Sequence, residues 1–491
     1  MNERIQRFSR CFRILAFALI AGCGASAGHD PARSPNPEPL SPADLNLIFV
    51  VSADLAFHDT GDIDPGTANL TSQGLQRSLG TATFLAERVL GERNVTSIHA
   101  LEPTTRPQTS ANYPDMAALG SVQQFALLNQ ITLSSDGHGS NASTGDSYPV
   151  SASYAVGFVP EGVVAPTLAC GNCQGIDFRD QGSSNDALLS GLVASGVPGY
   201  HVFAAPWETT RALLARLDEL AGFDLRAPAE YEGANRIHAV SIDASGRASL
   251  ATFDSGLDPS PSYPELPGGP LASAPCTSQQ AFSITVNGGR DGVIIPARSN
   301  VNQVLHIVRH ADAHPSPYFA DGNFVGAGQW RALGLPDALR GKIDPEVVYS
   351  IDPSQVTQGT VSASGDSVWS NVAPALTVEP YAIATGLPYQ LVTSFEISDA
   401  SSPQLASELF FDGGRFSNRE VLLAWQYVQI PQLVNALLAS RGATARAPEW
   451  PATDYDTIWT VTLDAAGDVT VSNAMCEGID SAALPAMAPR F

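Results

Sequence analysis

Arg309, His310 and Asp312 place a permanent cation, an imidazole and a carboxyl group within four residues. The apolar run Leu305-His306-Ile307-Val308 precedes them and reads as a buried strand. The triplet therefore sits at a strand's carboxyl end, where open α/β sheets bind ligands. An imidazole there is a nucleophile or a base when it is unprotonated at the working pH. A neighbouring arginine stabilises negative charge building on an attacked group. Cys170-Gly-Asn-Cys173 reads as a redox pair, half of a metal site or a local disulfide. No second such pair or nearby histidine cluster completes a metal site, and the strand-to-helix context of a redox motif is missing, so the disulfide is preferred. Lys342 is the only lysine, which disfavours Schiff-base chemistry and a phosphate-loop lysine.

The elements that position these residues occur twice. Asn69 to Gly80 (NLTSQGLQRSLG) matches Asn323 to Gly334 (NFVGAGQWRALG), with Asn, Gly, Arg, Leu and Gly recurring in register. An apolar run precedes each copy, Leu47 to Val51 and Leu305 to Val308. A second run ending in acid-Pro follows each, at Glu102-Pro103 and Asp352-Pro353. Trp207-Glu208 parallels Trp425-Gln426, and Val240 to Gly246 echoes Val461 to Gly467. This ordered series reads as a tandem duplication. Apolar runs alternate with helical stretches, such as Gln76 to Leu90 and Val421 to Ala439, so each half reads as an α/β fold with a central, mostly parallel sheet. Gly256 to Ser278 is rich in Pro and Ser and reads as a linker, leading into a short hairpin over 284–295. The organisation expected is a domain over 45–255, linker and hairpin over 256–300, and a second domain over 301–491. A Ser- and Gly-rich insertion at Ser134 to Gly175 interrupts the first.

With these motifs assembled, Val308-Arg309-His310-Ala311-Asp312 and the helix start at Asn323 to Gly334 resemble the signature of the histidine phosphatase superfamily. The resemblance covers most of residues 302–470, and a degenerate copy extends it over 45–255. It implies two tandem three-layer α/β/α domains, with His310 as the phosphate-accepting nucleophile, Arg309 as a phosphoryl ligand and Asp312 as an acid. No cofactor or metal is implied, and the implied partner is a phosphorylated small molecule. The correspondence has gaps. The second arginine is expected just after Pro353, where this chain has Ser354-Gln355-Val356, and the second histidine falls on Tyr427. In the first half Val51-Ser52 stands at the Arg-His position, whereas Arg106 matches the second arginine and Thr209 falls where the second histidine would be. Arg106, His314, Arg331 and Tyr427 are thus the candidate phosphate ligands. Asp54 and Glu208 read as relics of an acid/base pair or, preferably, as ordinary polar residues at the rim of the first cleft. Two functions stay open: a phosphomonoesterase of weak or lost activity, and a non-catalytic binding protein.

The remaining composition sets the compartment and excludes partners. Charged residues make up 15% of the chain and net charge is −23, so phosphate backbones of nucleic acid are repelled. Residues 1–22 combine four arginines with the apolar run Ile14 to Ile20, too short to span a bilayer, and read as a signal segment. Its end, Ile20-Ala21-Gly22-Cys23, resembles a bacterial lipobox, which implies lipidation of Cys23, with 23–44 as a flexible tether to the outer membrane. Membrane contact is expected through that anchor only. An exported location favours disulfides, and with Cys170 and Cys173 joined locally, Cys276 pairs with Cys476 by elimination.

Overall fold

A computed structural model describes residues 35–129, 150–151, 175–180, 182–276, 280–288, 295–313, 322–353, 356–362, 365–392 and 402–491. The proposed signal segment, Cys23, Cys170, Cys173 and His314 lie outside the described residues.

In the first half, apolar runs form β1 (Leu45–Val51), β2 (Ser97–Ala100), β3 (Val150–Ser151), β4 (Gly199–Ala205), β5 (Arg236–Ile242) and β6 (Ala248–Asp254). They alternate with α1 (Ser72–Phe84), α2 (Ala117–Leu128), α3 (Ser184–Ser195) and α4 (Trp207–Ala221). The order across the sheet is β3-β2-β4-β1-β5-β6. Pairings from β3 to β1 are parallel, and β5 and β6 close the sheet antiparallel.

The second half begins with β7 (Ser283–Val286) and β8 (Gln303–Arg309), followed by α5 (Gly326–Leu339), β9 (Val347–Ile351) and a separate hairpin of β10 (Val356–Ser362) and β11 (Gly365–Ser370). It continues through α6 (Ala373–Thr385), β12 (Tyr389–Val392), α7 (Ser402–Phe411), β13 (Glu420–Trp425), α8 (Ile430–Ser440), β14 (Thr457–Leu463) and β15 (Val469–Cys476). Its sheet runs β12-β9-β13-β8-β14-β15-β7. Apart from the added edge strand β7, both order and strand senses repeat those of the first sheet.

Side chains alternate across the second sheet and divide its apolar residues between two faces. Val308, Val348, Leu422 and Ala424 pack with α6, whereas Leu305, Ile307, Val421 and Leu423 pack with Leu433, Val434, Leu437 and Leu438 of α8. The result is a helix–sheet–helix sandwich. The α6-facing cluster is continuous with the core of the first half, so 45–255 and 301–491 share one packed interior. Gln123 of α2 and Asn323 exchange two hydrogen bonds of 2.8 and 3.0 Å across that contact.

Gly74 and Gly328, paired in the repeat, have the same structural cause. A Cβ on Gly74 would stand 2.1 Å from the Asp62 carbonyl oxygen, and one on Gly328 2.7 Å from that of Asp312. Each helix start lies directly on the loop that follows the first strand.

One local expectation is corrected. Val421 to Trp425 is strand, because a short apolar run in the middle of a parallel sheet is buried on both faces, and the helix starts at Ile430. Residues 283–286 pair with β15, and residues 289–294 of the expected hairpin lie outside the described residues. The Cys276–Cys476 disulfide is present, with Cα atoms 5.6 Å apart across 200 residues. Among the described residues no helix is long and apolar enough to cross a membrane.

Candidate functional site

The carboxyl end of β8 delivers Arg309 and His310 to the edge of the second sheet. The His310 amide continues the strand by donating to the Trp425 carbonyl at 2.9 Å. Ser52 does the same to Ala205 at 3.0 Å in the first half, so Ser52 stands at the position of His310. The strand registers also align Ala205, not Trp207, with Trp425, because Val51 pairs with Ala205 and Arg309 with Trp425. Trp207 opens a helix and Trp425 closes a strand, so the two tryptophans are not equivalent.

His310 is buried, and its two nitrogens have different partners. Nδ1 lies 2.9 Å from the Ala311 carbonyl, which only accepts, so Nδ1 carries the proton. Nε2 lies 3.2 Å from Arg309 Nη2, which only donates, so Nε2 presents its lone pair. Burial, reinforced by the Arg309 charge, pushes the imidazole pKa down to about 3, so it is neutral at ordinary pH.

Arg309 is 2% exposed. Its Nη1 donates to the carbonyls of Ala452 and Asp454 at 2.8 and 3.2 Å. Its guanidinium carbon lies 4.4 Å from the Tyr427 ring centre and 3.9 Å from that of Tyr455. The Tyr427 ring therefore covers one face of the cation.

Asp312 and Arg331 form part of a buried ion cluster. Arg331, 1% exposed, donates to Asp312 and to Glu477, and Asp456 lies 3.8 Å away. The Asp312 carboxylate and the Arg331 guanidinium neutralise each other, so the structure does not present Arg331 to the cleft as a free phosphate ligand. Burial pushes Glu477 up to about 8, with Arg331 opposing the shift.

In the first half Arg106 follows β2 and is also engaged. It pairs with Asp54 and with Glu208 at 3.5 Å, and its Nε lies 4.0 Å from Asp115. Asp54 and Glu208 are therefore partners of Arg106 rather than loose rim residues. Thr209 donates to the Phe178 carbonyl at 3.3 Å. Behind Ser52, whose buried hydroxyl has no partner among the described residues, a void of about 30 Å³ is bounded by Asp62, Arg77 and Ser121.

Buried carboxyl groups also gather where the halves meet. Asp115 is pushed up to about 7 by burial, with Arg106 opposing and Asp54 adding to the rise. Glu379 of α6 is pushed up to about 8 by burial and then by Asp115. Glu102 is raised by burial and by Asp352, its counterpart in the repeat. Tyr455, Asp115, Glu379 and Glu477 were not singled out by motif, since each acquires its role from a partner far away in sequence. Among the described residues no cluster of three His, Cys, Asp or Glu side chains is placed to hold a metal ion.

No family model and no curated protein matches the sequence. Among solved structures, the chain is similar to a protein named as the phosphohistidine phosphatase SixA of Agrobacterium tumefaciens, at 13% identity and a TM-score of 0.21, covering 34% of this chain and 93% of that one. It is also similar to the mycobacterial glucosyl-3-phosphoglycerate phosphatase Rv2419c, at 16% identity and a TM-score of 0.22, covering 33% of this chain and 90% of that one. The same enzyme in complex with VO3 matches at 15% identity and a TM-score of 0.20, covering 33% and 91%.

Proposed function

We propose that this chain is a duplicated histidine-phosphatase-like protein, exported and anchored through Cys23, that binds a ligand instead of hydrolysing a phosphomonoester. The matching strand order and register of the two sheets support the duplication. The observation carrying the functional reading is that every candidate cation among the described residues already has protein partners. Arg309 lies between two tyrosine rings and two carbonyls, with only its Nε left without a hydrogen-bond partner among the described residues, Arg331 among three carboxyl groups, and Arg106 against Asp54 and Glu208. A phosphorus atom approaching His310 Nε2 must first displace the Arg309 donor from the lone pair. Removing one donor to a developing oxyanion costs about 2.7–4 kcal/mol of transition-state stabilisation.

One observation favours a second reading, hydrolysis through a phosphohistidine. His310 is neutral, with its proton held on Nδ1, which is the state a nucleophilic Nε2 requires.

The two readings separate on p-nitrophenyl phosphate hydrolysis between about pH 4 and pH 8, comparing the protein with its His310→Ala variant. Equal background rates are expected. A rate abolished by His310→Ala overturns the binding reading and establishes the phosphatase. Export is tested separately by palmitate labelling, which Cys23→Ser should abolish.

A further inference from the structure

The chain from Gly256 to Cys276 is a strap fastened to both halves. Leu257 lies over Gly80 of α1, where an added Cβ would stand 3.0 Å from its Cδ2. Gln76 brackets the strap, donating to the Ser262 carbonyl at 2.6 Å and accepting from the Ser260 amide at 3.2 Å. On the second half the Tyr263 hydroxyl donates to the Leu333 carbonyl at 3.0 Å. Leu271 lies over Gly334 of α5, the glycine that matches Gly80 in the repeat.

The two ends of the strap are held differently. Tyr263 and Leu266 pack on an apolar cluster that contains Leu79 of α1 and Leu333 of α5, so burial holds that end. Gly268 and Gly269 follow, both at φ +91° with open space around them, a conformation that glycine adopts freely. Beyond this hinge Ala272, Ser273, Pro275 and Cys276 are exposed. Two backbone hydrogen bonds tie the stretch down, from Ala274 to the Gly478 carbonyl at 2.9 Å and from Asp480 to the Ala272 carbonyl at 3.0 Å. So short a two-stranded pairing is marginal in water by itself. The Cys276–Cys476 bond supplies the missing hold by keeping the strands together.

Beneath the stretch lies a cavity of about 460 Å³, walled by Pro270, Leu271 and Cys276 of the strap and by Ala338, Lys342 and Ile479 of the second half. The Lys342 ammonium donates to the carbonyls of Cys476, at 3.1 Å, and Glu477. A positive charge therefore stands beside Cys476, and such a charge favours a thiolate.

We infer that the Cys276–Cys476 disulfide is a redox-sensitive buckle: a dithiol reductant frees the strap from Gly268 to Cys276 and uncovers the cavity while both halves stay folded. One thiolate of the dithiol attacks sulfur at Cys276, the exposed partner. The S–S bond breaks, and its electron pair leaves with Cys476 as a thiolate, which then takes a proton. The second thiol of the reductant displaces Cys276, so the reductant departs oxidised and two cysteines are free. This device does not depend on the ligand-binding reading above.

The test uses dithiothreitol on the full chain, well below the melting temperature. Alkylation read by mass spectrometry should find Cys276 and Cys476 both labelled. Hydrogen exchange at the Ala274 and Asp480 amides should quicken by about tenfold or more, with β8 and β13 unchanged. Cys276→Ser, which leaves the buried Cys476 in place, should show the same faster exchange without reductant. A disulfide that resists dithiothreitol until the protein melts overturns the inference. So does reduction, or the Cys276→Ser change, that leaves the two amides as protected as before. Exchange that quickens equally in β8 and β13 also overturns it, because the whole fold has then loosened instead of the strap.

Discussion

Glu379 offers a direct test of the physics at the contact between the halves. It is 3% exposed, and its carboxyl sits at about 8 where the ordinary value is 4.5. The folded chain therefore holds a proton that the unfolded chain releases. A raised carboxyl pKa contributes stability that is complete below the unfolded value and is lost as pH rises through the folded value. At about 1.4 kcal/mol per pKa unit, the loss due to Glu379 between about pH 6.5 and pH 8 is about 1.6 kcal/mol. Histidines complicate an absolute measurement, because burial depresses His238 to about 4 and His310 to about 3. Their term has the opposite sign: it is present above the unfolded histidine pKa and lost as pH falls. It cancels when the protein is compared with Glu379→Gln, which keeps the shape and removes the titration. Urea unfolding of both proteins at successive pH values gives the difference curve. The protein should lose about 1.6 kcal/mol relative to the variant over that window. A flat difference curve would refute the reasoning, because it would mean that Glu379 titrates alike in the folded and unfolded chains.

Other perturbations have equally definite outcomes. Arg331→Met strands the buried Asp312 carboxylate and removes the hydrogen bond to Glu477, and should cost about 3–5 kcal/mol, read as a lower urea midpoint. Gly74→Ala and Gly328→Ala force a Cβ onto a backbone carbonyl and should each cost about 1–3 kcal/mol, whereas surface Gly191→Ala, with open space around it, should not. Reduction of Cys276–Cys476 frees a 200-residue loop and should lower stability by about 2–5 kcal/mol, checked by melting with and without reductant.

Much of the fold was legible in the sequence because periodicity and spacing are local properties. The apolar runs at Leu45 to Val51 and Leu305 to Val308 are buried strands, and the Asn-to-Gly repeat marks matching helix starts. The second sheet even repeats the strand order of the first. The Trp207–Trp425 pairing slipped by two residues because side-chain identity was read where only hydrogen-bond register distinguishes a strand end from a helix start.

Which residues can act on a ligand was decided by tertiary structure. The sequence by itself determined that Arg309, His310 and Arg106 lie at or just beyond the carboxyl ends of strands. It carried no mark that Tyr427 and Tyr455 would cover Arg309, that Asp54 would take Arg106, or that Glu477 and Asp312 would take Arg331. Each of these partners arrives from a different element, and a charged side chain's chemistry depends on what it faces after water has left. Here Arg106 and Arg331 meet carboxyl groups and Arg309 lies between two aromatic rings, contacts that only the packing of distant elements produces.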